Sequence, residues 1–130
     1  MAKAIKLKKG LDIRIHGVAP SERLKRIIPA SCAVVPDDYQ GITPKIDVKE
    51  GDAVLAGSVL FHDKQYPDVK VVSPVAGTIQ SVVRGERRKL ERIVIIPSQT
   101  PEESKRFDTS GIDDSVLAQR LLLDSGLWAW

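Results

Sequence analysis

VKEGDAVLAGSVLFHDK, residues 48–64, runs through a polar gap, QYPDVK (65–70), into VVSPVAG (71–77). Short β-branched runs alternate here with Gly51, Gly57, Pro67, Pro74 and Gly77. Such punctuation writes compact strands joined by tight turns, because glycine supplies turn conformations and proline stops a strand ladder. None of the apolar runs in this stretch is long enough for a stable helix. A small β architecture follows.

Shifting the chain by 34 positions lays IDVKEGDAVLAGSVLF over QSVVRGERRKLERIVI. Val48 then falls on Val82, Gly51 on Gly85, Asp52 on Glu86, and Val59–Phe61 on Ile93–Ile95. Each copy reads as a strand, a Gly-acid turn and a second strand. The glycine is expected where the turn needs positive φ, with the acid placed to bond nearby amides. Neither unit buries an apolar face alone. Two packed units make a sandwich with a pseudo-twofold axis, which also hides strand edges.

Outward from this core, Ile5–Leu7 and Leu11–Ile15 read as short strands broken at Gly10, and Ser21–Ile28 as a turn or two of helix closed by Pro29. Ala33–Val35 reads as a strand stopped by Pro36, followed by a loop over Asp37, Asp38 and Gly41 with Tyr39 turned inward. After Ile96 the chain becomes polar, PSQTPEESKRFDTSG, in the manner of a linker. Asp113 or Asp114 is placed to cap a helix carrying Val116, Leu117, Leu121 and Leu122, with Gly126 to end it. The tail LWAW is costly to leave in water. It points to a chain cut short or packed on something else; the other arrangement is a tail folded back over the sandwich. The division is residues 1–97 as the sandwich, 98–112 as a linker and 113–130 as the start of a following domain.

The 130 residues suffice for one modest domain with a real core. Twenty Lys and Arg against 17 Asp and Glu give a net charge of +3, too small to argue for nucleic acid. Aromatic residues are 5% of the chain, leaving few platforms for stacked bases. The single cysteine, Cys32, can make no internal disulfide, which suits a reducing compartment. No apolar run approaches the roughly 18 residues that span a bilayer. MAKAIKLKKG has basic residues with no apolar core behind them, so it reads as neither signal peptide nor anchor. A membrane role would come through a partner.

Lys64 is the first candidate for chemistry. The same punctuation occurs in biotin- and lipoate-carrying domains, where a lysine at the tip of a rigid hairpin bears the cofactor. Here the gap from Lys64 to Ser73-Pro74 is long and broken by Pro67, and the neighbours Asp63 and Gln65 are not the methionines that flank a biotinyl lysine. A solvated loop lysine is the plainer reading. The second candidate is RGERRKLER, where Arg84, Arg87, Arg88, Lys89 and Arg92 crowd one hairpin. It reads as a solvated edge that resists strand pairing, or as a docking patch for an acidic partner, headgroup or anionic ligand. His16 and His62 have no metal-ligand spacing with Cys32. There is no Gly-x-Ser-x-Gly elbow, Walker loop or dinucleotide fingerprint. No catalytic, cofactor-binding or metal-ligating set is expected.

KKGLDI (8–13), DYQGITPKIDVKEGDAVLAGSVLFHDK (38–64), SPVAG (73–77), RGERRKLERIVI (84–95) and LLLDSGLW (121–128) together resemble the N-terminal part of the A subunit of the Na⁺-translocating NADH:quinone oxidoreductase. The order of EGD-x-V, LF-x-DK and RGERR is the specific part; the C subunit of the Rnf electron-transport complex is similar but less so. The resemblance implies a mainly β barrel-sandwich hybrid, biotinyl/lipoyl-like, with a short C-terminal helix. It implies a peripheral subunit on the cytoplasmic face of the bacterial inner membrane, seated on the membrane-embedded B subunit. It implies quinone contact only through the full-length subunit, no covalent cofactor in this chain, and flavins and an iron-sulfur centre elsewhere in the complex. Arg14 and His16 depart from the family's KKGLDIPIAG pattern, which leaves that turn without an assigned role. The expected function is a noncatalytic structural and docking domain that presents Lys64, Arg84, Arg87, Arg88 and Lys89 to its neighbours. The alternative is a carrier modified on Lys64.

Overall fold

The computed structural model describes residues 29–99, 104–110 and 112–129. The strands expected at Ile5–Leu7 and Leu11–Ile15, the helical turn at Ser21–Ile28 and His16 lie outside the described residues.

Among the described residues, seven short strands precede one helix. They are β1 (Cys32–Val34), β2 (Pro44–Ile46), β3 (Ala53–Val54), β4 (Val59–Asp63), β5 (Lys70–Val72), β6 (Gly77–Arg84) and β7 (Leu90–Pro97). A 3-10 turn, Pro36–Asp38, follows β1, and α1 spans Ser115–Asp124. The strands form two antiparallel sheets, ordered β1-β7-β6-β3 and β2-β4-β5. The mainly β reading of the sequence holds.

Both sheets supply the core. Val34, Val54, Ile79, Leu90, Ile93 and Ile95 come from the four-stranded sheet; Leu60, Phe61 and Val71 come from the other. Tyr39 turns inward as its setting suggests and meets the Phe61 ring edge-on at 6.0 Å. Each fully buried large side chain is worth about 1.5–3 kcal/mol over exposure. Register shifts let this core form. Simple alternation would bury Phe61 and expose Leu60, yet both are fully buried, and the β4–β5 ladder shifts between Val59 and Phe61. Leu90 and Ile93 are three positions apart and both buried; the β6–β7 ladder shifts between Val83 and Arg84. An extra residue in one strand rephases the alternation that follows it. Gly77 is needed at the start of β6, because a Cβ there would run into the Ile96 carbonyl.

The two copies of the 34-residue repeat share an antiparallel strand pair but differ between the strands. The shift lays β2 and β4, an antiparallel pair in the three-stranded sheet, over parts of β6 and β7, an antiparallel pair in the four-stranded sheet, while β3 falls on the Arg87–Arg88 loop and has no counterpart strand. Gly51 does take positive φ, at 88°, but Gly85 has φ −93° and ψ −153°. The turn-for-turn match therefore fails, and the pseudo-twofold repeat is not borne out.

The C-terminal part folds back. Ser104 bridges to Ala56, and the Lys105 amide donates to the Ala56 carbonyl at 2.8 Å. Asp114 caps α1, its carboxylate accepting from the Val116 and Leu117 amides. Gly126, at φ 77°, ends the helix so close to β5 that a Cβ would lie 2.8 Å from a Val72 methyl. Lys70 on β5 pairs with Asp124 at 2.8 Å, and Ala129 packs on the core. Val116, Leu117, Leu127 and Trp128 stay exposed. No helix among the described residues is long and apolar enough to cross a membrane.

Candidate functional site

The longest of the described strands, β6 and β7, carry the basic cluster at their shared end. Their connection closes with two backbone bonds: the Gly85 amide donates to the Lys89 carbonyl at 2.9 Å, and the Lys89 amide to the Glu86 carbonyl at 3.0 Å. Between them sit Arg87 (φ 53°, ψ 27°) and Arg88 (φ 61°), both left-handed. Within the connection from Arg84 to Leu90, Glu86–Lys89 is a tight turn whose two central residues are left-handed, as a type I′ turn requires. The positive φ expected on Gly85 is carried instead by two arginines.

The five basic side chains are not equivalent. Arg84 Nη1 donates to the Arg88 carbonyl at 3.3 Å, folding its guanidinium across the loop. Lys89 Nζ pairs with Asp37 Oδ2 at 2.7 Å, pinning the hairpin to the Pro36–Asp38 turn. Arg87 and Arg88 are exposed and make no ion pair or side-chain hydrogen bond with the described residues. Arg92 lies opposite Val83 on β7 and is exposed. Unpaired guanidinium groups at a rigid loop are suited to carboxylate or phosphate oxygens, which their planar forks engage in pairs.

Lys64 lies elsewhere. It follows β4 in the three-stranded sheet, and its amide donates to the Thr43 carbonyl at 2.8 Å. It opens a wide connection between β4 and β5 and does not stand at the tip of a tight hairpin. The segment after β1 touches both candidates: Asp37 holds Lys89, and Thr43 holds the start of the Lys64 loop. No hydrogen bond or ion pair among the described residues joins Lys64 to the arginines.

Sequence reasoning missed Asp63. It falls on the inward face two positions after Phe61 and is only 4% exposed. Its carboxylate accepts the Thr43 amide at 2.8 Å and the Tyr66 amide at 3.0 Å. The Thr43 bond is the main reason its pKa lies below the ordinary aspartate value; burial opposes this, and the amides of Tyr66, Gln65 and Lys64 reinforce it. An acid at an inward strand position beside a Pro-containing loop is the signal that could have found it. Asp63 builds the Lys64 loop and has no substrate-facing geometry.

Other groups offer no chemistry. His62 Nδ1 lies 2.7 Å from Asp47 Oδ2 on the three-stranded sheet. Burial pushes the Cys32 thiol up, away from the reactive thiolate. Burial and then the Asp38 charge raise the Tyr39 phenol. No cluster among the described residues could hold a metal ion. A groove of about 520 Å³ lies between β1 and β5, lined by Val34, Tyr39, Val72 and Pro74. Its walls are largely apolar, with Asp38 as their charged residue.

A family model described as the NqrA N-terminal barrel-sandwich hybrid domain matches residues 5–98. The A subunit of the Na(+)-translocating NADH-quinone reductase of Saccharophagus degradans is 42% identical over 130 residues, covering 95% of this chain and 28% of that protein. The subunits of the same name from Neisseria meningitidis (37% over 127 residues) and Pseudomonas aeruginosa (38% over 129) show the same coverage, 95% of this chain and 28% of theirs. The chain thus spans less than a third of the length of these relatives. Two small antiparallel sheets closed over one core, the matched segment and these identities lead to one assignment: the chain belongs to the NqrA N-terminal barrel-sandwich hybrid domain family.

Proposed function

We propose that this chain is a noncatalytic structural and docking domain of a Na⁺-translocating NADH:quinone reductase. In this reading it forms part of the peripheral A subunit on the cytoplasmic face of the membrane. It seats that subunit on its neighbours, the membrane-embedded B subunit above all. The observation that carries the proposal is the pair Arg87 and Arg88, exposed and without partners among the described residues, at the tip of a hairpin built on the two longest described strands. Arg84 and Lys89 brace the loop from either side. Flavins, the iron-sulfur centre and quinone contact belong to the rest of the complex, and this chain carries no cofactor of its own.

Charge reversal at Arg87 and Arg88, followed by purification of the complex and assay of quinone reduction, tests the proposal. Loss of the A subunit from the complex is expected; full retention with normal activity contradicts it. The carrier reading predicts a biotinyl or lipoyl mass increment on Lys64. Protein isolated from its native host is expected at its unmodified intact mass.

A further inference from the structure

We infer that Arg87 and Arg88 are kept in the hairpin loop against the preference of the backbone because their side chains grip an acidic protein surface. The inference rests on the docking reading and adds to it the chemistry of the partner and a cost to the free chain. Left-handed backbone is disfavoured for side chains with a Cβ, and the two central positions of a type I′ loop are the ones that Asn-Gly fills best. Here both positions hold arginine, at φ 53° and 61°. Nothing among the described residues rewards that choice, since neither guanidinium has an ion-pair partner there. Strain of this kind collects where a contact outside the local fold uses it.

The hairpin also indicates what is gripped. Glu86 and Glu91 are interleaved with Arg84, Arg87, Arg88 and Arg92, and all six are exposed. The two acids among the arginines suit discrete carboxylates on an acidic protein surface better than a uniformly anionic lipid layer. The apolar residues of the hairpin do not reach outward: Leu90 is buried and Val83 is half-buried, so neither side chain is available to enter a headgroup layer. Paired guanidinium forks on a rigid loop are suited to carboxylates.

Two double variants separate the parts of this inference. Arg87→Asn/Arg88→Gly removes the charge and suits the loop. Arg87→Lys/Arg88→Lys keeps the charge and the strain. Thermal unfolding of the 130-residue chain is expected to show the first variant melting several degrees above wild type, and the second unchanged. Membranes of the native host, carrying the assembled complex, are then washed with rising NaCl. The first variant is expected to leave the membrane complex at several-fold lower salt than wild type, and the second at an intermediate salt, because lysine keeps the charge but lacks the planar fork. A first variant that melts no higher than wild type overturns the strain argument, whatever its docking. One that melts higher but stays bound like wild type overturns the docking reading itself. Release of the lysine variant as early as the first overturns the charge assignment. Sedimentation of the chain with phosphatidylglycerol vesicles is expected to be absent; vesicle binding lost in the first variant would overturn the protein-surface assignment in favour of lipid.

Discussion

Lys89 Nζ lies 2.7 Å from Asp37 Oδ2, which ties the arginine hairpin to the turn that follows β1. Both side chains are mostly exposed, at 60% and 64%, so the pair is screened by water and contributes little to folding. Asp37→Ala is expected to cost at most about 1 kcal/mol in urea unfolding. Its effect should fall with added salt, because exposed charges are screened within a Debye length. A loss several times larger would mean the pair organises more than the hairpin.

Ile93 sits fully buried on β7, the strand that pairs with both β1 and β6. Ile93→Ala removes core packing between the sheets and leaves a cavity. The expected loss is about 2–5 kcal/mol, enough to unfold a marginal domain. Leu55 and Ile96, which are exposed apolar residues, should tolerate alanine with far smaller loss. Denaturant titration of the three variants ranks them.

Gly77 begins β6 where a Cβ would collide with the Ile96 carbonyl and lie 2.9 Å from its carbon. Both obstacles are backbone and cannot rotate away. Gly77→Ala is expected to destabilise by more than about 1 kcal/mol, although alanine favours the folded chain at an unstrained site. A neutral result, read by thermal unfolding, would show that the β6–β7 ladder can open at that end.

Asp63 gives the chain an acid-sensitive element. Its carboxyl is held below the ordinary value of about 3.9, chiefly by the Thr43 amide. The sign follows from linkage: a depressed folded pKa adds stability that is fully present above the unfolded pKa and is lost as pH falls through the folded one. Stability should therefore drop below pH ~4. Asp63→Asn keeps an acceptor for the Thr43 amide but cannot titrate, so it should flatten part of that acid slope while lowering stability at neutral pH. Unfolding midpoints measured across this range check both expectations. Asp124, held down first by its hydrogen bond from Lys70 and then by the Lys70 charge, adds to the slope in the same direction.

Much of the fold was legible because its punctuation is local. Pro36, Gly51 and Gly126 stop or turn the chain where their own backbone preferences dictate, and Asp114 caps the helix from its own first turn. Tyr39 turned inward as its loop implied. The misses arise from interactions distant in sequence. The burial of Leu60 beside Phe61 and of Asp63 two residues later depends on a register shift against β5, which no single strand reveals. The folding back of α1 depends on Gly126 meeting Val72, far earlier in the chain. The left-handed arginines were hidden for another reason: propensity places Gly85 at the turn, and the chain contradicts propensity there.

The central claim is that Arg87 and Arg88 seat this domain on its complex. The most direct measurement is the amount of the A subunit that co-purifies with the membrane subunits when both arginines are changed, as Arg87→Glu/Arg88→Glu, at moderate salt. The account predicts loss of most of the A subunit and a matching loss of quinone reduction, with the isolated variant chain still folded. Wild-type amounts of the A subunit in a complex that reduces quinone normally would contradict it.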